Sequence, residues 1–307
     1  SYSVLSDYFE PEKRGLALGL FSIGAPLGLA AGAAAGAAIA AALGWRWAFI
    51  LLGVPGVMLA LLILWRVREP ERGRLDPKPD ANAPAPRPLD ALRIVWSTPS
   101  LRWITFGAAA VSFAGYGFFH WAPSFLQRSQ GLSEMQIATM FAPTLVLGVA
   151  GSLLGGVLAD RYGVKSPAAY GLIPGLAIVV ASPFLIASAL VEGGRTSIAL
   201  ISVPVLLNFM WIAPALAAAQ NLATPHTRAL VAAIMAFFNN LVGFGLGPLV
   251  VGAISHALTP DYGPPEALRI AMICAAVAYA LAGGFFMAAA RTLPRDSARR
   301  ALTPRTV

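Results

Sequence analysis

Charge is what this sequence has least of. Asp, Glu, Lys and Arg make up 12% of its 307 residues, about half the share usual in soluble domains, which is roughly 25%. Cysteine is rarer still. Cys274 stands alone, which excludes a disulfide framework and a thiolate metal site and leaves a packed thiol in an apolar run. No run alternates apolar with polar residues, so barrel strands are not indicated. Residues 1–9 lack both a basic start and an apolar core, so no cleavable signal peptide is read there. The chain begins without methionine, and its true beginning is expected to be missing.

What is present is apolar. Hydrophobic residues make up 57% of the chain and the mean hydropathy is +0.70. Eight runs are long enough to cross a bilayer as helices, at 15–43, 47–65, 103–126, 137–159, 167–191, 197–223, 229–257 and 269–290. An all-α integral membrane protein follows. The net charge of +8 would suit nucleic acid, but its placement excludes that partner. Gaps between runs alternate in side, and 18 of the 22 Lys and Arg fall on one side, among them Arg14, Arg66, Arg93, Arg161, Lys165, Arg228 and Arg295. Four, Arg46, Arg128, Arg195 and Arg269, fall on the other. The positive-inside rule then puts both ends of the chain in the cytoplasm.

The first run carries Gly24, Gly28, Gly32 and Gly36, four apart, which form one bare groove on a helix face. Close backbone approach through small residues is a main way to hold helices together in lipid. The stripe is expected to pack against Gly148, Gly151 and Gly155 of the fourth run, either as a fixed pair or as a seam along which two bundles rock. Gly44-Trp-Arg-Trp47 reads as a tight turn with interfacial aromatics. Residues 68–99, rich in Pro, Arg and Asp, read as a cytoplasmic linker between bundles. The fourth run ends in Gly155-Gly156-Val-Leu-Ala-Asp160-Arg161-Tyr-Gly163, where the glycines around Asp160 and Arg161 are expected to make a tight turn. The Asp160 carboxylate is then placed to receive the positive end of the first helix, near Arg14; a solvated loop is the alternative.

These residues carry a resemblance. Gly156-x-Leu158-Ala159-Asp160-Arg161-x-Gly163-x-Lys165 resembles the loop signature of the major facilitator superfamily, in the copy between its eighth and ninth helices, with Val164 where a basic residue is usual. Gly24-Ala-Pro26-Leu-Gly28 with Gly32 and Gly36 is similar to the fifth-helix motif, and Gly44-Trp45-Arg46-Trp47-Ala-Phe49 to the turn after it. Asn239-Asn240-Leu-Val-Gly243-Phe-Gly245-Leu-Gly247-Pro248 resembles the eleventh helix of spinster-like members, and Gly115-Tyr116-Gly117-Phe-Phe-His120-Trp121-x-Pro123 fits the same branch. The resemblance implies the major facilitator fold with eight of its twelve transmembrane helices present. Residues 1–67 would close the N-terminal bundle with its last two full helices, 68–99 link, 100–291 form the C-terminal six-helix bundle, and 292–307 form a cytoplasmic tail.

Ionisable groups inside a span cost about 2.5–3.5 kcal/mol at its centre on insertion scales and mark ion paths. No Asp, Glu, Lys or Arg lies near a span centre, so a coupling carboxylate is expected on helices beyond this sequence, as the resemblance also implies. The candidates for substrate contact are uncharged. Tyr116 and His120 share a face of the third run, and His120 is either an interfacial histidine or a proton or anion contact. Asn208 and Trp211 fall in mid-run, where a buried amide can bond a neighbouring helix or a ligand. Asn239 and Asn240, being adjacent, cannot share a face; one is assigned to packing and one to the cavity.

Two motif matches are refused. His256-x-x-x-x-Asp261 imitates an acyltransferase pair but lies at a helix end beside Pro260. Gly243-x-Gly245-x-Gly247 has no strand before it and Pro248 after it, unlike a dinucleotide loop. The reading is a non-enzymatic secondary transporter without cofactor or metal, working by alternating access on an amphiphilic or lipid-like organic solute, with the proton as coupling ion. An organic-anion symporter and a non-transporting receptor or scaffold on the same fold are the alternatives. A monomer, multi-pass in a bacterial inner membrane, completes the expectation; Ala richness and Arg over Lys suit a bacterial genome.

Overall fold

In lipid every backbone N–H and C=O must find a partner within the chain, and the apolar runs meet that demand as helices. The computed structural model describes residues 24, 27–28, 31–32, 34–36, 38–66, 88–163, 165–223 and 227–302, and every regular element among them is helical. Arg14 and most of the expected linker lie outside the described residues. The chain divides into two compact units, Ser1–Ala85 with Glu134–Val146, and Pro86–Ser133 with Leu147–Val307.

In the first unit Gly24, Gly28 and Gly32 are helical, followed by α1 (Ala34–Leu43) and α2 (Trp45–Arg66). A single residue separates the two. Gly44 has φ +90°, a left-handed conformation that side chains with a Cβ adopt only under strain. Its N–H donates to Ala40 O at 2.9 Å and its carbonyl accepts from Trp47 N at 3.1 Å. The expected four-residue turn therefore shrinks to Gly44, and Trp45 already belongs to α2. The segment Glu134–Val146 is helical but irregular, with a π-helical turn at Ile137–Phe141 and a 3-10 turn at Ala142–Val146. Pro143 has no N–H to give Thr139, which breaks the regular bonding there.

The second unit opens with α3 (Pro88–Ser97) and α4 (Pro99–Arg128). The expected linker thus ends earlier than 99. Pro88 suits the first turn of a helix, and Leu89, Leu92, Val95 and Trp96 recur at helical spacing. Next come α5 (Leu147–Gly163), α6 (Ala169–Leu190) and α7 (Gly194–Leu222). α7 is interrupted by a 3-10 turn at Phe209–Trp211, where Pro214 deprives Met210 O of its helical partner. Last are α8 (Arg228–Phe238), a π-helical stretch (Asn239–Leu246) and α9 (Gly247–Leu302). α9 consists of two limbs joined at Gly263, whose φ of 75° and ψ of 160° are not helical; Pro264 and Pro265 follow it. The second limb continues unbroken to Leu302, so most of the expected tail is helix.

Among the described residues, five helical runs are long and apolar enough to cross a membrane: Trp45–Arg66, Glu134–Gly163, Ala169–Leu190, Gly194–Leu222 and Arg228–Arg300. α4 has the length, 30 residues or about 45 Å. It buries Gly, Ala, Ser and Thr along its inner face and so falls short in apolarity. It is nevertheless the element around which the unit is built.

Three crossings between glycine-bearing helices draw the second unit together. A Cβ on Gly117 of α4 would stand 2.9 Å from Val251, and one on Gly243 or Gly247 would strike Ser112 or the Phe113 carbonyl. On α6, a Cβ on Gly171 would lie 2.6 Å from Ala290 N, and Gly283 of α9 faces Val179 in the same way at 2.8 Å. In the third crossing, α5 meets α7: Gly148 faces Phe209, Gly151 the Leu206 carbonyl, and Gly155 the Met210 backbone. The groove of α5 is thus filled by the broken part of α7, whereas the sequence offered it to the opening stripe. A Cβ on Gly24, Gly28 or Gly32 would meet nothing within 4 Å, and one on Gly36 only Leu52 Cδ1 at 3.7 Å.

Candidate functional site

α4 has two faces with different chemistry. Its inner face, with Ala108, Val111, Ser112, Ala114, Gly115 and Phe118, is buried. One polar contact and one close approach hold it in the unit. Ser112 Oγ donates to Asn239 Oδ1, and Asn208 lies so close to Gly115 that a Cβ there would stand 3.1 Å from its Oδ1. That same oxygen accepts from Tyr279 Oη at 2.9 Å, and Tyr279 is completely buried in α9. Asn208 and Asn239 therefore have protein partners. Trp211 is half-buried, its ring tilted against Phe286 at 6.2 Å.

The other face of α4 is open. Tyr116 and His120, one turn apart, are both exposed. Tyr116 meets Phe244 edge to face at 5.3 Å and 85°, so the open face continues onto the π-helical stretch. Asn240, one turn before Phe244, is also exposed and ties its Nδ2 to Ala236 O at 2.8 Å, with no partner for its carbonyl oxygen among the described residues. Trp121 anchors the outer end: its Nε1 donates to Pro248 O at 2.9 Å, and its ring lies 2.8 Å from where a Cβ of Gly252 would be. The π-helical geometry matters because wider turns rotate successive side chains. Asn239 thereby turns inward and Asn240 outward.

Of the six residues expected at the substrate, the structure brings Tyr116, His120 and Asn240 onto one open surface with Phe244. It places Asn208, Trp211 and Asn239 in the packing behind. Ser112 and Tyr279, which the sequence did not single out, complete that packing; a serine and a tyrosine in apolar runs were the signal. The open surface carries a phenol, an imidazole, an amide oxygen and a phenyl ring, and no charged side chain. It can hold an apolar body and hydrogen-bond a polar end. Among the described residues, no three of His, Cys, Asp and Glu come together as metal ligands.

The expected gating residues lie at the far end of α5. That helix runs through Asp160 and Arg161 to Gly163, so the turn begins after Gly163 and not around Asp160. Gly163 is needed for proximity, because the Tyr170 ring lies where its Cβ would be; Gly156 has Ala213 Cβ 3.8 Å from its own. Asp160 is exposed, and Arg161 extends over Tyr162 at 6.0 Å. A cavity of about 330 Å³ opens beside this turn, lined by Gly163, Tyr170, Asn221, Leu293 and Ser297 among others, remote from the Tyr116 surface.

One buried carboxylate escaped sequence reasoning. Asp296, assigned to a tail, accepts from Ser100 N at 2.9 Å and Ser100 Oγ at 2.6 Å. It caps the N-terminus of α4, where unpaired N–H groups and the helix dipole favour an anion.

The chain matches the sequence profile of the Major Facilitator Superfamily over residues 1–248. It is 31% identical over 294 residues to an MFS-type efflux pump of Mycolicibacterium smegmatis, covering 95% of this chain and 67% of that protein. It is 26% identical over 313 residues to the sphingosine-1-phosphate transporter SPNS2 of Danio rerio, covering 94% of this chain and 62% of that one. Its structure is similar to the crystal structure of a bacterial homologue of the human lysosomal transporter spinster, inward-facing and unoccupied, with a TM-score of 0.76 and 25% identity. That match covers 96% of this chain and 74% of the other. The chain therefore spans about two thirds of the length of these curated relatives.

Proposed function

The chain belongs to the major facilitator superfamily, in its spinster-like branch, and from that premise we propose that the protein carries an amphiphilic or lipid-like organic solute across the membrane by alternating access. The observation that carries this reading is the open face formed by Tyr116, His120, Asn240 and Phe244. Among the described residues this surface carries no charged side chain, so it suits the apolar body and hydrogen-bonding groups of a solute, and any charge at the solute's polar end needs a partner elsewhere. An amphiphile needs an apolar wall and a few hydrogen-bonding groups, which it does offer. The likeness to a protein named for transporting sphingosine-1-phosphate supports the same class.

Each residue has a role in this reading. The Tyr116 and Phe244 rings hold the apolar body, the Asn240 carbonyl and the Tyr116 hydroxyl bind the polar end, and His120 is the group that can exchange a proton. Asn208, Trp211 and Asn239 keep the wall in shape. Asp160, with Arg161 and Arg14, latches one of the two access states, and the glycines at 24, 28, 32 and 36 give the opening helix a bare face on which to tilt. Transport is coupled to protons, and the protein works as a monomer in the bacterial inner membrane with its basic loops in the cytoplasm.

The test is uptake of a fluorescent sphingoid amphiphile by proteoliposomes under an imposed pH gradient. Uptake above that of protein-free vesicles is expected to fall about tenfold in Tyr116→Ala, equivalent to about 1.4 kcal/mol of lost binding, at unchanged protein content. His120→Gln is expected to abolish the dependence on the gradient. Uptake no faster than in protein-free vesicles, with rapid uptake of an organic anion instead, would favour the symporter reading that an anion contact at His120 suggests.

A further inference from the structure

The cavity beside the α5–α6 turn has no part in the Tyr116 surface. It lies where that turn, the end of α7 and the last turns of α9 come together, on the side of the chain that carries the basic loops, and it holds about 330 Å³. Ligand pockets run from about 300 to 1,000 Å³, so this one suits a small polar group and not a whole lipid. Pro167, Ala218 and Leu293 make part of its wall apolar. The Tyr170 hydroxyl, the Asn221 amide and the Ser297 hydroxyl line the rest. They come from α6, α7 and α9, and none of these side chains is hydrogen-bonded to another described residue. Tyr170 and Ser297 are half-buried and Asn221 is exposed. Polar groups drawn out of water without a partner cost free energy that a ligand bonding all three would recover.

The chain around the cavity is basic. Lys165 stands two residues from both Gly163 and Pro167, and Arg295 two from both Leu293 and Ser297. Two residues span at most about 7 Å of backbone, less than the Debye length of about 8 Å at physiological ionic strength. Arg228 comes from the start of α8: its Nε donates to Gln220 O at 3.1 Å, which holds the guanidinium against the residue before Asn221. Two acids are as near in sequence. Asp296 is buried and already accepts from Ser100 N and Oγ, and Asp160, one turn before Gly163, is exposed and outnumbered. Such surroundings repel a cation and attract an anion. A phosphate has several acceptor oxygens set around a tetrahedron, and two hydroxyls and an amide on three different helices can each donate to a different one. Basic pockets between helices at the cytoplasmic end of a membrane protein are a known setting for phosphate headgroups.

We propose that this cavity binds a phosphate ester, with Tyr170 Oη, Asn221 Nδ2 and Ser297 Oγ donating to its oxygens and with Lys165, Arg228 and Arg295 supplying the attracting charge. The ester is the headgroup of an anionic phospholipid in the adjoining leaflet or a phosphorylated solute from the water on that side. Bound there, it ties α6, α7 and α9 together through one ligand at the basic end of the unit.

Thermal unfolding of the purified chain in a nonionic detergent tests this, because a ligand bound only by the folded state raises the midpoint with its concentration. The probes are dihexanoyl-phosphatidylglycerol, glycerol phosphate and, as a zwitterionic control, dihexanoyl-phosphatidylcholine. A saturable rise is expected with phosphatidylglycerol. Asn221→Asp sets a like charge against the phosphate and is expected to weaken the affinity at least tenfold. Tyr170→Phe combined with Ser297→Ala removes two donors and no charge, and is expected to weaken it severalfold. A saturable response to glycerol phosphate as well would assign the site to phosphates from water, and a response to the anionic lipid alone would assign it to the leaflet; each supports the proposal. No saturable rise with either phosphate, an equal response to phosphatidylcholine, or an unchanged affinity in a folded variant of either kind overturns it.

Discussion

Glycines in this chain look alike in sequence and differ sharply in what a methyl group would meet. A Cβ on Gly151 would lie inside the Leu206 carbonyl oxygen, and that oxygen is backbone of α7 and cannot rotate away. Overpacking costs about 1–3 kcal/mol and occasionally more, so Gly151→Ala is expected at the upper end, seen as a lower thermal midpoint in detergent. Gly284 has nothing within 4 Å of its Cβ position. Gly284→Ala is expected to be neutral or to gain about 0.5–1 kcal/mol, because glycine loses more backbone freedom in a helix than alanine does. Tyr279→Phe tests the other kind of contact. It leaves Asn208 Oδ1 without its donor at the centre of the unit, and hydrogen bonds between membrane helices average about 0.6 kcal/mol with a maximum near 1.7. A loss within that range, measured by unfolding in detergent, is expected. No change would show that Asn208 finds another donor.

α4 shows how an element can be central to a fold and poorly marked in sequence. Among the described residues hydropathy marks five long spans, because a membrane helix needs about 20 apolar residues. It also located the inner part of α4, but it had no view of α3, of the start of α4 at Pro99, or of α9 beyond residue 290. Those parts leave the hydrocarbon, and outside it helices need no apolar signal. Asp296 was misread for that reason: nothing in its neighbourhood says that it reaches Ser100, 196 positions away. Asp296→Ala should leave the Ser100 N–H unpaired and cost about 0.5–2 kcal/mol, the usual value of a helix cap. Asp296→Asn keeps a carbonyl acceptor and should cost less; equal losses would mean that the charge matters and not the bond. The glycine stripes were legible as grooves but not as pairs. Four-residue spacing states that a bare face exists, and only the 3-10 turn at Phe209–Trp211 decides that α7 fills the one on α5. Asn239 and Asn240 were read as one packing residue and one cavity residue; the π-helical stretch Asn239–Leu246 pairs Asn239 with Ser112 and leaves Asn240 exposed, and sequence period carries no sign of that stretch.

For the whole molecule, the alternating access proposed above requires that something make one access state preferable to the other. Two lobes that rock need a contact formed in one state and broken in the other, because only a differential interaction shifts a population. Asp160 suits that task by position. It lies in the last turn of a helix tied to α7 through Gly151 and Gly155, its carboxylate is exposed, and Arg161 is turned aside over Tyr162. If the proposed latch sets Asp160 against the N-terminus of the opening helix, such a carboxylate contributes about 0.3–1 kcal/mol, and up to about 2 when partly buried, so Asp160→Asn should move the balance of states roughly twofold to thirtyfold. The measurement is labelling of single cysteines, on a Cys274→Ala background, by a membrane-impermeant maleimide applied from each side of proteoliposomes. Asp160→Asn is expected to raise labelling from the side that carries the basic loops and to lower it from the other. Gly28→Leu is the companion, since it alters the proposed tilting face without touching the latch: transport is expected to fall while the protein still inserts. If Asp160→Asn leaves both labelling rates as they were while Gly28→Leu stops transport, the bare helix face alone governs the rocking and the carboxylate is an ordinary solvated one.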